Sequence, residues 1–444
     1  MPYPWPVNRS VIAVLSGTFT LRFSTGLTGA VLIYYLADLP RYGGQTVGPL
    51  TVGVLAAAFF LAELLLAPLF GVISDRVGQR PVMQLGPLFG GVAVVLTGLT
   101  THIPLLGATR LLEGSSTAAS VPSILGYVAR ATAEDEPLRG RVVSRFELAT
   151  LAGLGGGVIA AGPIYQLIGV RAFFLNAAIY GLSWAIFRFA VVELPPTGLP
   201  DPTSGSEAHV WRRYLDVLAS SHVWILAPTW IAINAVLGIW SSQSIFQLVR
   251  RPGLILDEGE QLLMGGFTPT QVSGGLAVGL LVFFAGLLYW GGRFRRYRRT
   301  TILAYGVVGG AVAVVFALLL NHSVGQPGLL QAAYVLGGAA GLFVLAGATP
   351  AALGLLADIS EAYPRDRGAI MGLYSVFLSL GQIAGSLIGG EAGRIEGFDG
   401  ILVATLVLLG IALLPLYRLR ALEHLVGSPG PAQPPSHESR LRNA

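Results

Sequence analysis

Long apolar runs separated by short polar breaks make up most of this chain. Twelve are read, at 11–36, 49–73, 82–101, 104–129, 144–168, 172–192, 223–248, 270–291, 301–320, 328–356, 369–391 and 398–417. Most exceed the length of an ordinary core helix, approach or pass the roughly 20 residues needed to cross a hydrocarbon layer, and lack the alternation of a barrel strand. The pattern predicts an all-α polytopic membrane protein with twelve transmembrane helices. The first run is too long for a signal-peptide core and has no small-residue cleavage pattern behind it, so it is read as a span that stays.

Two longer polar breaks organise the chain. Residues 193–222 are turn-rich and divide the spans into two sets of six. Within them, Val210-Trp-Arg-Arg-Tyr-Leu-Asp-Val-Leu mixes apolar and basic residues at helical spacing, which predicts a short helix lying on the membrane surface. The predicted organisation is an N-terminal six-helix bundle (1–192), a cytoplasmic linker (193–222), a C-terminal six-helix bundle (223–417) and a disordered tail (418–444).

Composition agrees with a lipid-solvated chain. Of 444 residues, 53% are hydrophobic and 11% charged, against about 25% charged in soluble domains. The chain contains no cysteine, which excludes disulfides and thiolate metal sites, and no metal or cofactor is expected. All 28 basic residues are arginine. The net charge of +5 is explained by topology and needs no nucleic-acid partner. With the N-terminus inside, 21 arginines fall in cytoplasmic segments and five (Arg41, Arg171, Arg250, Arg251, Arg394) on the opposite side. The expectation is a multi-pass protein of the cell inner (plasma) membrane with both termini cytoplasmic.

The two halves repeat. At an offset of 228, Pro122, Gly153, Gly157 and Gly162 meet Pro350, Gly381, Gly385 and Gly390; at 220, Pro49, Gly71, Arg76 and Gly86 meet Pro269, Gly291, Arg296 and Gly306. Spans 4–5 thus mirror 10–11, and 2–3 mirror 8–9, which predicts two pseudo-symmetric bundles with a site between them near midplane.

The loop after span 2 reads Gly71-Val-Ile-Ser-Asp75-Arg76-Val-Gly78-Gln-Arg80. It resembles the G-x-x-x-D-R-x-G-R-R signature of the major facilitator superfamily, in the loop where that family carries it. The resemblance covers about residues 10–417. It implies a secondary transporter with alternating access, and a role for Asp75 in latching the cytoplasmic side when the protein faces outward. A basic topogenic loop would explain Arg76 and Arg80, but not Asp75 or the glycines. The second-half counterpart, from Gly291, has Arg295 where the acid should stand. Span 4 carries Arg110-Leu-Leu-Glu113-Gly114, similar to the R-x-x-Q-G element linked to proton coupling in the family's exporters, with Glu113 in place of glutamine. Span 5 carries Gly153, Gly157, Gly162 and Pro163, similar to the glycine-proline element of drug/proton antiporter-type members, although Val158 stands where a proline follows Gly157 in that element.

Charges inside spans cost about 2.5–3.5 kcal/mol each at the helix centre on insertion scales, so each is a candidate for function. They are Arg22, Glu63, Arg110 and Glu113. Arg110 and Glu113, three residues apart, share a helix face. The alternative is two structural pairs, Arg22–Glu63 and Arg110–Glu113. Glu147, nearer the end of span 5, is read as a partner for Arg141 or Arg145. In the second half, Asn234 and Gln243 offer amides that would suit either a substrate cavity or bonds between helices.

The leading function is proton-coupled export of a hydrophobic or amphipathic small molecule by a monomer in the bilayer. The alternatives are a facilitator or proton symporter of a small polar solute and, more distantly, an intramembrane lipid-modifying enzyme. The last is disfavoured because the chain has no G-x-x-x-x-G-K-[ST] loop, no H-E-x-x-H motif and no lysine at all.

Overall fold

The computed structural model describes residues 5–133, 136–193, 223–250, 261–293, 296–361 and 367–422. Helices α1 (Trp5–Ala37), α2 (Pro49–Val77), α3 (Gln79–Leu99), α4 (Ile103–Ala131), α5 (Glu136–Ile168) and α6 (Ala172–Ala185) form the N-terminal half. The C-terminal half comprises α7 (Val223–Val249), α8 (Pro269–Gly291), α9 (Arg299–Asn321), α10 (Gly328–Leu345), α11 (Ala348–Glu361) and α12 (Arg367–Leu422). No strand occurs among the described residues.

Nine stretches among the described residues are long and apolar enough to cross a membrane, where the sequence predicts twelve spans. The difference has identifiable sources. Leu138–Ala190, 53 residues, runs through α5 and α6 across a tight turn at Gly169–Arg171. Ser375–Arg418, 44 residues, holds two predicted spans on either side of the non-helical Glu396 and Gly397. Gly397 has φ +59°, a conformation that other residues rarely adopt. Helix α4, bearing Arg110 and Glu113, is not among the nine.

Several boundaries also move. Helix α1 begins six residues before the predicted span and α5 eight residues before. The predicted span 328–356 is broken at Ala346–Gly347, between α10 and α11. The surface helix expected at 210–218 and the tail from 423 lie outside the described residues.

The predicted repeat is visible in the packing. A side chain at Gly157 would strike the Phe23 carbonyl of α1, and one at Gly153 would come within 2.6 Å of the Phe19 carbonyl. In the other half, Gly385 sits against the Ala235 carbonyl of α7 and Gly381 lies 2.6 Å from the Ile231 carbonyl by the same measure. Matched glycines thus bring α5 onto α1 and α12 onto α7, since only a residue without a side chain lets the backbones approach so closely. Each half has its own apolar core: one around Tyr35, Phe173, Tyr180 and Phe187, the other around Ile239, Ile302, Leu303 and Ile401.

Candidate functional site

The halves meet along a seam, and its hydrogen bonds lie at one end. Gly162 of α5 packs on the Pro269 carbonyl of α8, and its amide donates to Ser273 Oγ at 3.0 Å. The related contact sets Gly390 of α12 against Pro49 and Gly53 of α2. Tyr34 donates to the Pro269 carbonyl at 3.3 Å, the Thr270 amide to Gln166 Oε1 at 3.2 Å, and Gln243 Nε2 to the Pro49 carbonyl at 3.1 Å. All of these groups stand at the end where the sequence places the arginine-poor loops.

Helix α8 is positioned for this seam by its own start. Thr268 and Gln271 form a reciprocal capping box, and Pro269 occupies the first turn, where a missing N–H costs nothing.

Deep in the N-terminal half, Arg110 and Glu113 form a direct ion pair, with 8% and 2% of their surfaces exposed. Arg110 also lies over the Phe59 ring, 4.8 Å from its centre, a cation–π contact. Gly114 lets α2 approach, because a side chain there would strike the Phe59 carbonyl. Around the pair stand Thr28 of α1 and the fully buried Tyr180 of α6, and Asn176 donates to Thr28 Oγ1 at 2.6 Å. Glu113 Oε1, Arg110 Nε and the Tyr180 hydroxyl make no hydrogen bond of ordinary geometry, because the Thr28 hydroxyl that neighbours Glu113 and Tyr180 donates to the Ser24 carbonyl, although buried polar atoms are nearly always satisfied.

Arg22 and Glu63 differ from this. Both are half-buried, and no ion pair joins them. Their charges nevertheless act on one another, and Arg22 also feels Glu147. Glu147 is exposed, and no ion pair to Arg141 or Arg145, the partners expected from the sequence, occurs among the described residues.

The signature loop works inside one half. Gly78 links α2 to α3 with φ +110°, and a side chain there would come within 2.8 Å of Glu193. Arg80 donates to the Arg188 carbonyl and lies 3.6 Å from Glu193, tying α3 to the end of α6. Gly71 passes Pro122 of α4 at 3.7 Å by the same measure. Asp75 and Arg76 are exposed, and Asp75 has no hydrogen bond or ion pair among the described residues.

The amides are shut away in this state. Asn234 is 1% exposed and donates to the Trp230 carbonyl of its own helix; Gln243 is fully buried in the seam. Gly153, Gly157, Gly162 and Pro163 serve packing and the seam, as described above, with Pro163 inside α5.

Some participants escaped the sequence reading. Gln79 accepts from Arg130 of α4, and Ser10 bonds Tyr127 and the Val192 amide, closing the N-terminal half at the arginine-rich end. Thr28, Phe59, Asn176 and Tyr180 are ordinary helix residues whose pairing with Arg110 and Glu113 depends on helix rotation. No local pattern announces it.

A two-half, all-α assembly with charged groups buried between its helices is the architecture of a polytopic membrane transporter. The sequence model of the Major Facilitator Superfamily matches residues 14–265 and 259–441, and the chain belongs to that family. Similar proteins include Multidrug resistance protein 2 of Bacillus subtilis (strain 168), 23% identical and covering 85% of this chain and 87% of the relative. Multidrug resistance protein 1 of the same organism is 24% identical over 91% of this chain and 95% of its own length. The quinolone resistance protein NorA of Staphylococcus aureus (strain MSSA476) is 20% identical over 86% and 90%. Among solved structures, the nucleoside transporter NupG shares the fold with a TM-score of 0.67 at 12% identity, covering 93% of this chain and 98% of that one. The chain is therefore a multi-pass membrane protein of a transporter family, and its substrate is a small molecule.

Proposed function

We propose that this protein is a proton-coupled exporter of hydrophobic or amphipathic small molecules in the plasma membrane, working by alternating access between residues 1–192 and 223–417. In this reading twelve spans are present, the arginine-rich end is cytoplasmic, and the state described here is sealed to the outside.

The observation that carries the proposal is the buried Arg110–Glu113 pair, with one carboxylate oxygen left unbonded. A carboxylate whose only strong partner is one arginine can exchange a proton when that arginine moves, because its environment changes from paired to unpaired. Thr28 and Tyr180 bring α1 and α6 to the same spot, so a movement of either helix reaches the pair. The drug-resistance relatives support export of an amphipathic cargo. Asp75, unpaired in this state, is free to latch the cytoplasmic side once the halves rock the other way.

The test is proton flux in proteoliposomes under an imposed pH gradient with a panel of amphipathic compounds, comparing wild type with Glu113→Gln. Glutamine keeps a hydrogen bond to Arg110 but cannot carry a proton. Compound-dependent dissipation of the gradient, lost in the variant, is the expected result. Compound movement without protons, equal in both proteins, would overturn proton coupling and favour a facilitator.

A further inference from the structure

A second polar cluster lies at the arginine-poor end, away from the Arg110–Glu113 pair, where residues 261–264, the end of α9 and the break in α12 converge. Asn321 closes α9. Its backbone carbonyl accepts from the Leu262 amide at 2.7 Å and its Oδ1 from the Leu263 amide at 2.8 Å. Its Nδ2 donates to Asp399 Oδ1 at 2.8 Å. Gln261 Oε1 accepts from the Phe398 and Asp399 amides at 3.1 and 3.3 Å, and Gln261 Nε2 donates to the Glu396 carbonyl at 3.2 Å. Met264 seats on the break itself, where a side chain at Gly397 would come within 2.6 Å of the sulfur.

The cluster fastens one end of a strap whose other end is the seam. Residues 261–268 lead into α8. Past Met264 the strap runs along α7, with the Gly265 amide donating to the Gln247 carbonyl at 2.8 Å and the Phe267 amide to the Leu248 carbonyl at 3.2 Å. It ends in the Thr268 cap and Pro269, whose carbonyl accepts from Tyr34 and packs against Gly162 of the other half. Gly265 and Gly266, both at φ +81°, give the strap a joint that other residues would resist, so Pro269 can shift against Met264. Most of the fastening is amide and main chain, which pH leaves alone; His322 is the exception.

His322 Nε2 donates to Asp399 Oδ2 at 2.8 Å, the carboxylate oxygen that Asn321 leaves open. The two side chains are 46% and 22% exposed, so protons from the medium reach the ring. Histidine is the side chain that ordinarily changes charge between pH 5 and 8. A neutral ring can keep the hydrogen bond, whereas only the imidazolium adds attraction between opposite charges. Among the described residues His322 is the sole ion-pair partner of Asp399. The other charged groups at this place are Glu396, the Glu391–Arg394 pair earlier on α12, and Arg250 of α7, which lies 3.9 Å from Met264 Sδ. The first turn of α10 carries no charge and joins through Gln331, which donates to the Ser323 carbonyl at 2.9 Å.

We propose that His322 and Asp399 form a pH-sensitive clasp on this strap: acid in the medium at this end charges His322, tightens the strap and favours the sealed seam. The contribution is present while the ring is protonated and is lost as pH rises through the range in which histidine titrates. The inference goes beyond the transport reading and rests on it for one point, that this end faces the outside, so that the medium sensed is external. His322 takes no part in the exchange at Glu113; it sets how readily the seam opens. A C-terminal half that rocked as one rigid body would keep the clasp in both states and leave the seam indifferent to His322, which makes the proposal testable.

The experiment measures the separation of two spin labels across the seam, in purified protein in detergent, at about pH 5.5 and about pH 8, either side of the histidine range. The chain has no cysteine, so the labels go on Leu167→Cys and Leu329→Cys, 85% and 86% exposed and taking no part in the clasp or the seam. Every sample also carries Glu113→Gln, which removes the titration of the proposed exchange site. The ratio of sealed to open protein is expected to be about two- to fivefold higher at the lower pH, the size that a part-exposed ion pair allows. His322→Gln keeps a hydrogen-bond donor without a change of charge and should abolish the difference, while His322→Arg should hold the ratio high at both pH values. The same label distances at both pH values in the parent, or a pH response that survives His322→Gln, would overturn the proposal. Detergent exposes both faces to one pH, so the outcome is independent of sidedness. A response that depends on His322, together with no proton movement in the proteoliposome assay, would sink the coupling reading and leave the clasp standing.

Discussion

In the N-terminal half, Gly157 admits the Phe23 carbonyl of α1; in the C-terminal half, Gly385 admits the Ala235 carbonyl of α7. The two skeletons match at these positions. Their buried chemistry does not. The first half places Arg22, Glu63, Arg110 and Glu113 at membrane depth, whereas the interior of the second holds the amides Asn234, Gln243 and Gln247. Close packing is needed equally by both halves, because a rigid bundle requires backbone contact wherever helices cross. Under the proposed function, charge is needed only where something is to be bound or exchanged, and one half suffices. At the seam the match extends further: Gly162 on Pro269 and Gly390 on Pro49 correspond, and the Pro269 carbonyl accepts from Tyr34 of α1 as the Pro49 carbonyl accepts from Gln243 of α7, a phenol in one half answering an amide in the other.

The strongest way to break this comparison is to fill the matched glycines. Gly157→Val and Gly385→Val should each abolish monodisperse protein on size exclusion, because the obstacle is main chain and cannot move aside as a flexible side chain would. If only one of the two fails, the halves do not share a packing requirement. Next in size is the buried pair. Glu113→Ala leaves Arg110 without its counter-charge and should cost about 3–5 kcal/mol, read as a fall in thermal unfolding temperature in detergent. Removing both charges, as Arg110→Gln with Glu113→Gln, should restore much of that loss. A double variant no better than the single one would show that the two residues do not act as a pair.

A smaller effect sharpens the seam. Gln243→Leu removes one hydrogen bond to the Pro49 carbonyl, worth about 1 kcal/mol, and should shift the sealed population roughly fivefold. The chain contains no cysteine, so a pair introduced at Gln166 and Thr270 reports the seam by its rate of disulfide formation. An unchanged rate would remove Gln243 from the seal. Smallest is Arg80→Ala, which loses a part-exposed contact with Glu193 and should cost under about 1 kcal/mol by the same unfolding measurement. A larger loss would mean that the signature loop holds more of the N-terminal half together than its exposure implies.

The sequence by itself determined the class of protein. Apolar runs of membrane length, the scarcity of charge and the Gly71–Arg80 signature need no tertiary contact to be read, since each is set by local composition and the thickness of a bilayer. The repeat was legible too, because the same packing problem recurs in each half and selects glycine at related positions. What the tertiary structure decided is which groups meet. Arg110 and Glu113 pair because they lie three residues apart on one helix, so their contact was readable in advance. Arg22 and Glu63 stand on different helices, and only the rotation of α1 against α2 and α5 left them without a direct bond and gave Arg22 a second acid in Glu147. Gln243 likewise reached the Pro49 carbonyl only once the two halves closed. Such contacts depend on helix rotations and on the state of the seam, which are properties of the assembled bundle and are not written in any stretch of the chain.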